Sequence, residues 1–430
     1  MKKYCFFLVI VLAAILSSCG NPNCEITYMS NGERIFVPEE GWGEEIKSHK
    51  FRDGVGTITF SGEVTHIPEG AFTREQSLKS IKLPNSVTSI GNGAFKDCRS
   101  LRSVTIGNST TSIGRCAFFG CSSLTSVIIP NSVTKIGSYA FSGCSSLPVI
   151  GNIRYADIYA VEVIDETLSS YTINYGTRFI GNGAFKDCRN LTSVTIPNSV
   201  TEIGYEAFCD CWRLKSVYIT DLSAWCKISF ESYDANPLYY AKNLYLNDNL
   251  VTELTLPSDI TEIKDYTFYG CCSLTSVTIG NSVTSIKTSA FSSCKGLASV
   301  TIPDSVTSIG KGAFFDCVSL TSIKIPNSVT EIKGTAFSDC ENLTSITIPD
   351  SVISIGERAF RACGSLTSVY CKPITPPTGG IDMFSYYISY NAAKPIGCKI
   401  YVPRKSVDAY KTAMYWSDYS SYIEGYDFAN

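Results

Sequence analysis

Hydrophobic positions recur along this chain with a fixed spacing. The stretch Leu320–Cys340 reads Leu-Thr-Ser-Ile-Lys-Ile-Pro-Asn-Ser-Val-Thr-Glu-Ile-Lys-Gly-Thr-Ala-Phe-Ser-Asp-Cys, and a near copy starts at Leu343. The phase is set by the Phe of an Ala-Phe (once Thr-Phe) pair. These are Phe72, Phe95, Phe118 and Phe141, then Phe185 and Phe208, then Phe268, Phe291, Phe314, Phe337 and Phe360. Within each run the step is 23 residues, a period that marks stacked coils rather than separate globular domains.

One coil shows what the pattern builds. Leu124, Val127 and Ile129 point one way from a short strand rich in β-branched residues. Pro130-Asn131 is a turn dipeptide, and Val133 to Ile136 is a second short strand. In Gly137-x-x-Ala140-Phe141-x-x-Cys144, the three- and four-residue spacings put Ala, Phe and Cys on one face of a helical turn. Pro68, Lys264, Lys287 and Lys333 occupy the Gly position elsewhere. That position therefore needs no left-handed backbone and is read as the first residue of the turn, where proline fits. About eight side chains per coil point inward. The predicted fold class is a repeat solenoid, mainly β with short helical turns.

The repeat is broken in four places. Residues 24–66 precede it, and alternating runs such as Gly56–Phe60 predict a strand-built amino cap that covers the first coil. Residues 151–178 lack the Phe and Cys marks but keep strand-like runs at 159–164 and 170–174, a degenerate coil. Between Phe208 and Phe268 the excess lies in an insert at 221–243, opened by a short helix that Asp221 caps. The insert carries Trp225, Phe230, Tyr233, Tyr239 and Tyr240. Two readings stand for it: packing on the adjacent coil, or a projecting binding loop using Trp225, Tyr239 and Tyr240. Residues 371–430 form a carboxy cap. In it Phe384 is a displaced echo of the repeat Phe, Lys399–Val402 a closing strand and Ser406–Met414 a helix. Trp416, Tyr419, Tyr422 and Tyr426 then cover the exposed end of the core.

The amino terminus adds a location. Lys2 and Lys3 precede an apolar run from Tyr4 to Leu16, too short for the roughly 20 residues that span a bilayer. Leu16-Ser17-Ser18-Cys19 then matches a bacterial lipobox. Residues 1–18 are read as a lipoprotein signal and Cys19 as the lipidated residue, the sole membrane attachment. The organisation is therefore signal 1–18, anchor and amino cap 19–54, solenoid 55–370 containing the insert, and carboxy cap 371–430.

Nineteen cysteines would suggest disulfides in an exported chain, but ten stand three residues after a repeat Phe. These are Cys98, Cys121, Cys144, Cys188, Cys211, Cys271, Cys294, Cys317, Cys340 and Cys363. A periodic Cys is a periodic packing position, so these are read as reduced ladder thiols. A bridge between the off-ladder Cys371 and Cys398 is conceivable.

Charge and chemistry narrow the function. The net charge is −3 with no basic stripe, which argues against nucleic acid. There are two histidines, His49 and His66, no metal spacing and no nucleophile elbow. No catalytic residue, metal site or cofactor is expected. The strand positions between the inward residues face out. Thr195, Thr278, Thr301, Lys324 and Thr347 form a row on the expected concave face, a candidate for extended contact with a protein or glycan. Exposed Thr and Ser in strands are also ordinary, so simple copying of the repeat is the competing reading.

The repeated Leu-x-x-Val-x-Ile-Pro-Asn-Ser-Val-Thr-x-Ile-Gly-x-x-Ala-Phe-x-x-Cys resembles the BspA-like leucine-rich repeats of Bacteroides-type bacteria, some spirochaetes and certain parasitic protists. The insert and the tail Ile400–Trp416 resemble those of Bacteroides-type members. The resemblance implies a right-handed leucine-rich repeat solenoid on the cell surface that binds host matrix proteins or other bacteria; a monomer is expected. One departure stands out. Surface-exported lipoproteins of that group tend to carry an acidic run after the lipidated Cys, whereas Gly20–Glu25 has one late acid. A periplasm-facing scaffold with no host ligand therefore stays open beside outer-membrane surface display.

Overall fold

The computed structural model describes residues 21–389, 392–395 and 397–428. The expected signal 1–18 and Cys19 lie outside them. The chain forms two compact units that divide within the degenerate coil. One holds the residues up to Ile150 with Arg154–Val161, and the other Gly151–Ile153 with the residues from Glu162.

In the first unit, β1 (Glu25–Ser30), β2 (Ile46–Arg52) and β3 (Val55–Phe60) form an antiparallel sheet in the order β2-β3-β1. β1 then pairs antiparallel with Leu78–Lys82, and Ser103–Thr105 and Ser126–Ile128 continue in parallel. Trp42, 1% exposed, lies 5.8 Å from the Phe72 ring and covers the end of the Phe column. A second parallel ladder runs through His66–Ile67, Ser89–Ile90, Ser112–Ile113 and Lys135–Ile136.

The second unit repeats these ladders. Its first ladder includes Ser170–Thr172, Ser193–Thr195 and Ser216–Ile219, then Glu253–Thr255, Ser276–Thr278 and Ser299–Thr301, then Ser345–Ile348, Ser368–Cys371, Lys399–Pro403 and Ile423–Tyr426. Lys399–Pro403 is thus a cap strand but not the closing one, because Ile423–Tyr426 pairs beyond it.

The period builds a column of rings. In the second unit Phe268, Phe291, Phe314, Phe337, Phe360 and Phe384 stack with centroids 5.3–5.5 Å apart and planes within 9°. Identical coils stacked in register fix that spacing, within the range aromatic pairs favour. Phe384 extends the column as expected, and Trp416 and Tyr419 cover it, at 0% and 3% exposure. In the coil from Leu320, the eight inward residues Leu320, Ile323, Ile325, Val329, Ile332, Ala336, Phe337 and Cys340 are all buried.

The Ala-Phe-Cys segment differs from the expected helical turn. Ala313, Phe314 and Cys317 do share the buried side, but Gly312 and Asp316 have φ of 61° and 57°, which breaks a helix. Backbone donors alternate in use. Ala313, Phe315 and Cys317 bond within the coil, while Gly312, Phe314 and Asp316 donate to Gly334, Ala336 and Ser338 of the next coil. The segment is a third inter-coil ladder made of tight turns. The earlier Gly position has no positive φ at Gly114 or Gly137, in agreement with the sequence. Glycine fits there because a Cβ would lie 2.5–2.6 Å from the backbone of the preceding coil.

All seventeen described cysteines are free. Each of eight ladder thiols donates to the carbonyl of the Phe one coil earlier, as Cys340 Sγ does to Phe314 O at 3.2 Å. The conceivable Cys371–Cys398 bridge is not formed. Both residues are buried, and Cys371 Sγ lies 3.3 Å from Tyr410 Oη instead.

Candidate functional site

The outward strand positions of the second unit fall into two rows that the sequence does not distinguish. In one, the hydroxyls are committed to the stack: Thr192, Thr275, Thr344 and Thr367 donate to the carbonyls of Ser169, Thr252, Thr321 and Thr344 at 2.8–3.3 Å. In the other, Thr195, Thr278, Thr301 and Thr347 have no side-chain partner among the described residues, and all but the half-buried Thr195 are exposed. The second row holds the predicted contact residues. Thr172, Thr195, Tyr218 and Tyr245 pair successively, as do Thr255, Thr278 and Thr301. Exposed Lys324 pairs with Thr347, which continues to Tyr370 and Tyr401.

Each stretch with a tyrosine end finishes in stacked rings. Tyr218 and Tyr245 stack at 4.8 Å and 22°, and Tyr370 and Tyr401 at 5.1 Å and 20°. Tyr426 packs against both Tyr370 and Tyr401. The outward row is thus hydroxyls and one free ammonium, with phenol rings where the repeat gives way. Successive strands place these groups about 4.8 Å apart, suited to a ligand that is itself extended.

The insert interrupts the second strand ladder, while the first crosses it through the parallel pair Ser216–Ile219 and Leu244–Leu246. Ser229–Phe230 ends one run of the second ladder, and Glu262–Ile263 begins the next. Side chains bridge the break. Trp225 Nε1 donates to Thr267 O at 3.1 Å, and Asn236 Nδ2 donates to Tyr266 O and Thr267 O at 2.7 and 3.2 Å. Lys264 Nζ donates to Lys227 O and Ser229 Oγ at 2.6 and 3.1 Å. A cleft of about 370 Å³ remains, lined by Ser229, Phe230, Glu262, Lys264, Asp265 and Lys287.

The helix Leu222–Lys227 forms as predicted, with Asp221 accepting from the Ala224 N–H at 3.0 Å. Trp225 is 1% exposed. It is a packing residue with no surface to offer a ligand. Tyr239 and Tyr240 are half-buried and lie at the surface. Tyr240 Oη accepts from the Asp210 N–H at 3.0 Å.

The sequence reading missed Trp212, 67% exposed and perpendicular to Tyr240 at 5.2 Å. Tyr205, Tyr266 and Tyr269 were missed as well. A coil-by-coil comparison would have found Trp212, because Arg99, Ser122, Ser145 and Arg189 hold its place elsewhere.

Among the described residues no group of three or more His, Cys, Asp or Glu could hold a metal ion. Burial pushes the Cys98, Cys188 and Cys363 thiols up to about 12, which keeps them protonated and poor nucleophiles at neutral pH. Burial, then the Arg34 charge, pushes His49 down to about 4, and it is held between Tyr28 Oη and Arg34 Nε. No described helix is long and apolar enough to cross a membrane.

Stacked 23-residue coils, an in-register Phe column and a repeating strand–turn–strand order define a leucine-rich repeat solenoid. The model of the BspA type leucine rich repeat region matches in six copies, over residues 44–160, 164–236 and 239–367. The chain belongs to that family. Among solved structures it is similar to a leucine rich cell surface protein from Faecalibacterium prausnitzii A2-165, at 29% identity over 76% of this chain and 86% of that one, with a TM-score of 0.37. A leucine-rich repeat protein from Bacteroides ovatus ATCC 8483 is 22% identical over 89% of this chain and 91% of that one, TM-score 0.32. The pneumococcal vaccine antigen PcpA is 18% identical over 88% and 86%, TM-score 0.35. A comparison with curated proteins returns no match.

Proposed function

We propose that this chain is an exported, non-catalytic repeat protein, held to the outer membrane by lipid on Cys19 and displayed at the cell surface as a monomer. There the row Thr195, Thr278, Thr301, Lys324 and Thr347 binds an extended protein or glycan of host matrix or of another bacterium. The observation that carries this reading is the division of labour between the two threonine rows. One row is tied into the stack, while the other turns unpartnered hydroxyls and an ammonium to solvent. Substituting Thr278, Thr301, Lys324 and Thr347 together by Glu is expected to abolish adhesion to immobilised matrix protein and to partner cells, with an unchanged melting curve. Undiminished adhesion would remove the row from consideration.

A second reading, a periplasm-facing scaffold, is favoured by the acid-poor run Gly20–Glu25. Protease treatment of intact cells separates the two. Digestion fits surface display, and full protection with the outer membrane sealed fits the scaffold.

A further inference from the structure

The most unusual surface of the second unit lies on the third ladder rather than on the threonine row. It is assembled from the insert and the coils flanking it. Trp212 meets Tyr240 at 5.2 Å and 90°, and Tyr240 meets Tyr239 at 4.7 Å and 79°. Tyr239 and Tyr233 meet at 5.2 Å and 71°, and Tyr269 closes the cluster against both. The coil positions that supply Trp212 and Tyr205 carry polar or charged residues in most other coils, so the aromatics are not a product of the repeat. Nor is the surface a loose loop. Asn236 ties the insert backbone to Tyr266 and Thr267, and Tyr240 is tied to Asp210. Ordering of the site is therefore complete before a ligand arrives.

We propose that this surface binds a chain of neutral pyranose sugars, with Trp212 as the principal stacking residue. Three observations point to a sugar rather than a polypeptide. The large apolar side chains exposed on the patch are all rings, Tyr205 at 48%, Trp212 at 67% and Tyr233 at 46%. A pyranose offers a face of C–H bonds suited to a π face, whereas a polypeptide surface is better matched by mixed aliphatic and aromatic contacts. The rings also brace one another edge to face, an arrangement that holds faces at fixed angles to the surface. Finally, the rim supplies planar hydrogen-bonding groups beside Trp212 and in the coil before it, at a step of about 4.8 Å. Arg213 bonds Asn190 at 3.3 Å, and Arg189 bonds Asp187 at 3.0 Å. The guanidinium and amide groups have further N–H bonds and lone pairs for hydroxyls, and the Arg189–Asp187 pair carries no net charge.

Trp212 also provides the measurement. Trp42, Trp225 and Trp416 are at most 1% exposed, so acrylamide quenching of tryptophan emission reports Trp212. The full chain is titrated with cellohexaose, laminarihexaose and mannohexaose. At least one is expected to protect Trp212 from acrylamide with a dissociation constant of roughly 0.1–1 mM. By calorimetry, Trp212→Ala is expected to weaken that binding at least ~10-fold and Tyr233→Ala roughly 3-fold, as for lost stacking contacts. Both side chains are well exposed, and unchanged melting of each variant confirms that the fold is kept. The fourfold Glu variant of the threonine row is expected to bind the sugar as the parent does, which separates this site from that one. Protection by none of the three sugars at ~10 mM, or full binding by Trp212→Ala, overturns the proposal. Protection by gelatin but by no sugar overturns it too and assigns the patch to a polypeptide.

Discussion

From Leu274 to Phe360 every coil is held to the next by its backbone, whereas between Phe230 and Glu262 the second ladder is broken and side chains span the gap. In the regular coils, Phe314 N–H finds Ala336 O and Lys333 N–H finds Ile309 O, whatever side chain those residues carry. At the insert, the break in the second ladder is spanned by the indole of Trp225, the amide of Asn236 and the ammonium of Lys264. A backbone ladder tolerates change at its outward positions, because main-chain donors do not depend on residue identity. A side-chain bridge depends on three particular residues. The regular coils are therefore free to vary their surfaces, and the insert is free to depart from the repeat only while its bridges stay.

Alkaline pH is expected to have the largest effect, and it reaches both regions, because burial pushes Cys226 of the insert up to about 12 as it does ladder thiols. With ladder thiols held at about 12 in the fold and near 8.5 in a free chain, the unfolded state loses protons first as pH rises. Stability is intact below about pH 8.5 and falls above it, each thiol removing up to about 1.4 kcal/mol per pH unit. Several thiols act together, so urea midpoints between about pH 8 and pH 11 should drop by more than any single substitution achieves. A flat profile would mean the thiols are not buried.

Phe314→Ala comes next, at about 3–5 kcal/mol, because it opens a void in a column where neighbouring rings already touch. A near-zero shift in the urea midpoint would deny the column its role. Asn236→Ala should cost about 1–3 kcal/mol by leaving the buried Leu238 N–H unpaired and removing one of the donors to each of the Tyr266 and Thr267 carbonyls. Its signature is local. Amide exchange should quicken around the insert and stay unchanged at 276–301, and uniform quickening would erase the distinction between the two regions. The smallest effect is at Lys227, whose ion pair with Asp259 is more than half exposed on both sides. Lys227→Ala should leave the melting curve where it is, and a clear loss would make the ion pair a fourth bridge.

The inward positions were legible because burial selects for apolar residues at a spacing that stacking then enforces. The turn was misread for an equally physical reason. Ala, Phe and Cys reach one face either on a helix or on two successive tight turns, and periodicity alone cannot separate these. The separating signal lies just before the Cys, where Asp97, Gly120, Gly143, Asp187, Asp210, Asp316 and Asp339 stand, all with positive φ. Gly and Asp are residue types that accept a left-handed backbone. The division between Thr275 and Thr278 was not legible. Both are outward threonines, and only the stack decides which hydroxyl lies within reach of a carbonyl in the preceding coil. Trp225 and Trp212 show the same limit from the other side. The sequence marks both as departures from the repeat, but only the tertiary fold turns one inward and the other out.

The Cys-to-Phe contact sets a race during synthesis. Ten thiols spaced along one chain are, before the coils close, ten partners for wrong pairing in any oxidising compartment. Once a coil docks, its sulfur donates to the carbonyl below it and is sealed from thiolate chemistry. In such a compartment coil closure has to outrun oxidation, and because neighbours dock by local contacts it can proceed one coil at a time. The same atom that packs the core thus rewards rapid, sequential folding.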